Sequence, residues 1–123
     1  MTINVTWSSR ITHNEDNVKY NVPQKAGIYR LLKASGDGYS VQYVGQSDKL
    51  QRRLLEHLSN EEKNDCIKRL MKDTAYFRFA LLEAEKDRLC AESYLYQEFG
   101  VERNGPPCNK QKPQVDPCEI NLS

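Results

Sequence analysis

Gly27-Ile28-Tyr29, Gln42-Tyr43-Val44-Gly45 and Arg52-Arg53-Leu54-Leu55-Glu56-His57 are the three short stretches that decide how this chain folds. Around the first, Tyr29, Leu31 and Lys33 alternate with Ile28, Arg30 and Leu32, which predicts a strand over residues 26–34. Ser35-Gly36-Asp37-Gly38 is a turn signal, because glycine accepts positive φ. Residues 39–44 then read as a second strand with Tyr39, Val41 and Tyr43 on one face. So short a connection makes the pair antiparallel. Gly45 closes the strand where a side chain would be in the way.

Beyond that hairpin the period changes. Leu50, Leu54 and Leu58 fall at i, i+4 and i+8 and predict a helix to about Leu58, with Ser47 as its N-cap. Arg53 and His57 are also four apart and share a neighbouring face. Asn60 is the expected cap of a second helix over 61–73, with Cys66, Ile67, Leu70 and Met71 inward. Residues 74–82 form a third strand, with Phe77, Phe79 and Leu81 on one face. A long third helix ends near Phe99 and carries Glu92 between Leu89 and Leu95. Arg103-Asn104-Gly105-Pro106-Pro107-Cys108-Asn109 is then a loop, its prolines stiffening the approach to Asn109. The fold class expected is α+β: a small three-stranded antiparallel sheet flanked by about three helices.

This leaves an N-terminal arm, residues 1–25, a central domain, residues 26–109, and a C-terminal tail, residues 110–123. Ile3, Val5 and Trp7 alternate, as an extended piece lying on the domain would, with Trp7 as a packing anchor. Residues 12–17 read as a loop with a solvated His13. The arm either covers a sheet edge or mediates self-association, so monomer and homodimer both stay open. The tail reads as lying on the surface or partly disordered.

Bulk composition narrows the function classes. The chain has 123 residues, enough for one domain and too few for two. A net charge of +1 does not announce a nucleic-acid binder, so any such binding must come from charge gathered on one face. Cys66, Cys90, Cys108 and Cys118 make no CxxC pair and no zinc spacing, and read as reduced thiols. With no secretion signal and no membrane-length apolar run, a cytoplasmic protein is expected, away from membranes.

The order Gly27-Ile28-Tyr29, Tyr43-Val44-Gly45, Arg53, Glu92, Asn109 resembles the GIY-YIG nuclease family, over roughly residues 26–109. The first triplet is literal; the second carries Val where the family name has Ile. The likeness is greatest to the stand-alone domain and to the N-terminal domain of the bacterial excision-repair incision subunit. It implies a DNA endonuclease with Tyr29 as general base or proton relay and Tyr43 orienting phosphate or water. Arg53 would hold the phosphate, and Glu92 would be the sole protein ligand of one divalent cation, Mg2+ or Mn2+. Asn109 would brace the site, with His57 as an active-site neighbour.

The residue types suit that chemistry. Phosphodiester hydrolysis needs an activated water, a stabilised pentavalent phosphorus and a neutralised leaving oxygen. A hard cation on one carboxylate serves the last two, since magnesium keeps several waters. Arginine offers phosphate a planar, permanent charge. A phenol is a poor base at its reference pKa of about 10, so a nearby cation or arginine must depress it. His57 is the other candidate base. Taken singly, Tyr29 and Tyr43 read as strand aromatics, Glu92 as a solvated helix acid and Asn109 as a turn residue. Arg52 competes with Arg53. Agreement of all five in order favours the site.

Lys49, Arg52, Arg69, Lys110 and Lys112 are the basic residues placed to track DNA phosphates; the alternative is solvated helix faces balanced by Glu56, Glu61 and Glu62. With DNA as substrate, duplex or branched, the protein would sit at the nucleoid, and a protein partner could supply specificity. Repair, mobile-element and restriction roles stay open. The competing function is a catalytically silent nucleic-acid-binding or scaffold module on the same fold.

Overall fold

The computed structural model describes residues 2–100 and 105–122; Arg103 and Asn104 of the expected loop lie outside them. The elements run β1 (Thr2–Ile3), β2 (Ile11–Thr12), α1 (Glu15–Asn21), β3 (Gly27–Ser35), β4 (Gly38–Ser47), α2 (Leu50–His57), α3 (Asp65–Lys72), β5 (Ala75–Leu81), α4 (Glu85–Glu98) and β6 (Glu119–Ile120). The main sheet is antiparallel with strand order β2-β5-β3-β4. The three long strands are those expected; β2 adds a short fourth at the β5 edge.

Both faces of the sheet are covered, which is why β3 is buried along its first six residues. Tyr29, Leu31 and Phe77 pack under Val18 of α1, Val22 just after it, and Leu50, Leu54 and Ile67 of α2 and α3. Ile28, Val44 and Ala80 pack on the other face against Ala91, Leu95 and Tyr96 of α4, with Trp7 and Ile120. Each fully buried Leu or Ile contributes about 1.5–3 kcal/mol. The two-residue turn Gly36-Asp37 joins β3 and β4, with φ +59° at Gly36.

A β-bulge corrects the expected second strand. Leu31 pairs with Tyr43 but Leu32 pairs with Val41, leaving Gln42 as the extra residue. Tyr39 and Val41 therefore face the α4 side, while Tyr43 faces α2. Period-two alternation cannot show this, because one inserted residue reverses every side chain beyond it.

The helix starts also shift. Ser47 belongs to β4, and Lys49 is the residue before α2. Asn64, not Asn60, caps α3, its side chain accepting from the N–H groups of Cys66 and Ile67. Residues 58–64 are thus a connection, and Glu62 is buried in it rather than solvated on a helix.

The arm and tail are integral to the packing. Residues 15–21, partly within the expected loop, form α1, capped by Asn14. His13 is buried, not solvated: its Nε2–H donates to the Leu54 carbonyl at 2.9 Å. The arm covers the β5 edge through β2 and the Ser8 N–H to Phe79 carbonyl bond of 2.8 Å. Trp7 anchors it, with Arg30 stacked 4.3 Å over its ring. The tail is docked as well, since β6 pairs in parallel with β1 and Ile120 is buried.

The cysteines are disulfide-bonded, Cys66 to Cys108 and Cys90 to Cys118. This corrects the expectation of reduced thiols: the partners lie 42 and 28 residues apart, so no local spacing signals the pairing. Only the fold brings the Asn109 loop onto α3 and the tail onto α4. Among the described residues, no helix is long and apolar enough to cross a membrane.

Candidate active site

The expected site residues assemble where β3, β4, α2, α4 and the 105–109 loop meet. A cleft of about 490 Å³ is lined by Tyr43, Asn64, Glu92, Asn109, Lys110 and Lys112, with neighbouring tail residues. Tyr43 reaches this side because the Gln42 bulge turned it there. The bulge also frees the Gln42 carbonyl to accept the Cys108 N–H at 2.7 Å, which seats the loop. Asn109 is clamped to β4, its side-chain oxygen accepting the Val44 N–H and its amide donating to the Val44 carbonyl, both at 2.9 Å. It thereby satisfies backbone groups on the free edge of the sheet.

Tyr29 and His57 lie one layer below. Tyr29 has no exposed surface, and its hydroxyl is hydrogen-bonded to His57 Nε2 at 2.8 Å. The Tyr29 and Tyr43 ring centres are 6.1 Å apart, and each stands 5.6 Å from the His57 ring. Gly45 pairs with Tyr29, and a Cβ there would fall 2.6 Å from the Tyr29 hydroxyl, so only glycine lets β4 pass over it. Arg53 lies close enough to both tyrosines to act on them electrostatically, and it pairs with Glu56 at 3.2 Å. Burial, reinforced by Tyr43, pushes the Tyr29 phenol up, and Arg53 opposes that rise.

Behind His57 stands Glu62, which its sequence neighbourhood places on a solvated face. Glu62 Oε1 accepts the His57 Nδ1–H in a short contact. Its Oε2 accepts the backbone N–H groups of Lys63 at 2.9 Å and Asn64 at 3.3 Å. Burial, with Arg53 adding, lowers the His57 pKa to about 4 against the opposing pull of Glu62, so the ring is neutral at pH 7. No signal in Asn60-Glu61-Glu62-Lys63 distinguishes Glu62 from its neighbour Glu61.

Glu92 is the cleft carboxylate suited to a hard cation. Burial raises its pKa to about 7, and only the Gln46 backbone N–H works against that rise. It has no ion-pair partner among the described residues, which leaves a half-buried charge to be compensated. No cluster of three or more His, Cys, Asp or Glu gathers among the described residues. One carboxylate with water and phosphate ligands therefore fits better than an all-protein cage. Arg88, one turn before Glu92, donates to the Gln46 side chain at 3.0 Å and ties α4 to β4.

The basic residues divide. Lys110 and Lys112 line the cleft. Lys49 and Arg52 are exposed at the α2 end, Arg52 3.5 Å from Glu56. Arg69 lies elsewhere, in a second hollow with Lys33, Asp73 and the Cys66–Cys108 pair.

A sheet of this topology, with two tyrosines facing one helix and one carboxylate facing them from another, defines the GIY-YIG class of domain. Residues 25–102 match the model of the UvrC-like GIY-YIG domain, and the chain belongs to that family. It is 32% identical over 79 residues to UvrABC system protein C of Bacteroides fragilis, covering 64% of this chain and 12% of that protein. It is 35% identical over 80 residues to the Methanosphaera stadtmanae protein, covering 63% and 13%. The matched stretch thus spans about an eighth of those relatives. Among solved structures, the fold matches the GIY-YIG N-terminal endonuclease domain of UvrC from Thermotoga maritima. That domain was a point mutant bound to its catalytic divalent cation. The match has a TM-score of 0.58 at 18% identity and covers 76% of this chain and 96% of that one.

Proposed function

We propose that the protein is a metal-dependent endonuclease that hydrolyses DNA phosphodiester bonds. The observation that carries this reading is the joint placement of Tyr43, Arg53 and Glu92 over the Tyr29–His57 hydrogen bond. Glu92 would hold one divalent cation, Mg2+ or Mn2+, which supplies charge neutralisation at the phosphate and leaving oxygen. Tyr43 orients the scissile phosphate or the attacking water. Arg53, paired in the free protein with Glu56, turns a fork of its guanidinium to the phosphate. The Tyr29 oxygen has a lone pair to accept a proton from the water, while its own O–H points at His57. Asn109 keeps β4 and its tyrosine in register. Lys110 and Lys112, and at the α2 end Lys49 and Arg52, follow the DNA backbone; Arg69 has the least support, lying in its own hollow.

Residues 26–109 form the catalytic unit in this reading, with arm and tail as braces. DNA is the partner, duplex or branched, and the UvrABC relatives suggest a repair setting in which other proteins confer specificity. Location at the nucleoid follows from the substrate; the cysteines no longer argue for a reducing cytoplasm. The scaffold alternative loses ground because every residue the chemistry needs is present. Cation-dependent cutting of branched and linear duplexes tests the reading. Tyr29→Phe and Arg53→Ala should each slow it by about a hundredfold or more. Near-normal rates in both variants would sink it.

A further inference from the structure

Outside the residues assigned so far, one buried ionisable group is aimed at the centre. Glu62 is 6% exposed, on the connection between α2 and α3, and its carboxylate does nothing for that connection that an amide could not do. One oxygen holds the Lys63 and Asn64 N–H groups, and the other faces His57 Nδ1. An acceptor-only group on Nδ1 requires the proton there and leaves Nε2 with its lone pair. Nε2 faces the Tyr29 hydroxyl at 2.8 Å.

We infer that Glu62 is a positioning residue that fixes the His57 tautomer, so that Tyr29 can pass its proton inward during catalysis. The inference rests on the nuclease reading above. In the step, the water oxygen forms a bond to phosphorus as the bond from phosphorus to the leaving oxygen breaks. The water proton moves to the Tyr29 oxygen while the Tyr29 proton moves to His57 Nε2. The imidazolium so formed keeps its Nδ1–H on the Glu62 carboxylate and later returns the proton to solvent, and the leaving oxygen takes one from bulk water. Glu62 itself is never protonated. Tyr29 thus avoids a full phenolate charge, and the positive charge on His57, which burial and Arg53 oppose, is offset by the Glu62 carboxylate on Nδ1.

Glu62→Gln gives a sharp test. The two backbone N–H groups require the amide oxygen where Oε2 now sits, which turns the side-chain NH2 toward His57 Nδ1. That ring nitrogen must then accept, the proton moves to Nε2, and Tyr29 loses its acceptor. Long-range proton–nitrogen NMR of the full chain with labelled histidine reads the tautomer directly. The wild type should show Nδ1–H and the variant Nε2–H. With a cleavable duplex and magnesium, kcat should fall by about a hundredfold or more with KM unchanged. Glu62→Asp, which keeps an acceptor-only group, should recover part of the loss. Nε2–H in the wild type, or a flipped tautomer with normal kcat, overturns the inference. A wild type that shows Nδ1–H yet cuts no duplex rejects the nuclease reading and the relay with it, while leaving the tautomer assignment intact.

Discussion

Replacing Glu92 by glutamine should make the cation-free protein more stable, not less, at neutral pH. Burial raises the Glu92 pKa from the ordinary 4.5 to about 7. A carboxyl with a raised folded-state pKa favours folding while protonated. The penalty for ionising it therefore enters as pH climbs from 4.5 and is complete above 7. At 1.36 kcal/mol per unit, that penalty is about 3 kcal/mol, and partial exposure reduces it to about 1–3 kcal/mol. Glutamine has the same shape, still accepts the Gln46 N–H and carries no charge. With a chelator at pH 8 the variant should melt about 4–12 °C above the wild type, and the gap should close near pH 4.5. Magnesium should then raise the wild-type Tm by mass action and leave the variant unmoved. A variant that melts below the wild type at pH 8, or a gap independent of pH, would refute the account of Glu92.

Three other perturbations read separate parts of the structure. His13 and His57 are held neutral with pKa values near 4, chiefly by burial, so unfolding gains protons below pH 6.5. Stability should fall between pH 6.5 and 4 by up to about 3 kcal/mol per histidine, and His13→Gln should remove about half of that fall in urea titrations at each pH. Replacing both cysteines of the Cys66–Cys108 pair by serine opens a cross-link between residues 42 apart. By the chain-entropy estimate it should cost up to about 4 kcal/mol, and faster amide exchange around Asn109 should accompany the lower Tm. Gly45→Ala puts a methyl against the Tyr29 hydroxyl. Displacing that ring should cost about 1–3 kcal/mol and abolish cutting, with near-UV circular dichroism reporting the displaced tyrosine.

The central hairpin and β5 were legible because their local patterns and the tertiary demand agree: Gly36 makes the turn, Gly45 makes room for Tyr29, and Phe77 and Phe79 alternate cleanly. The sequence also placed Tyr29, Tyr43, Arg53, Glu92 and Asn109 on the elements that bring them together. What it could not show depends on contacts distant along the chain. The bulge at Gln42 leaves that residue's carbonyl to hold Cys108, far downstream, a contact no local pattern signals. The two disulfides join segments with no common local signal. Glu62 sits among acids at a spacing that suits a solvated helix, and only the late start of α3 turns it inward. His13 is polar by composition and buried by its bond to Leu54.

The most direct measurement is single-turnover cleavage of supercoiled plasmid by the wild type and Glu92→Gln across a magnesium titration, with folding of both checked by melting. Nicking that saturates with magnesium in the wild type and is lost in a folded variant is the predicted result. Equal cutting by both proteins, or none by a folded wild type that binds the plasmid, would contradict a nuclease whose cation is held by Glu92.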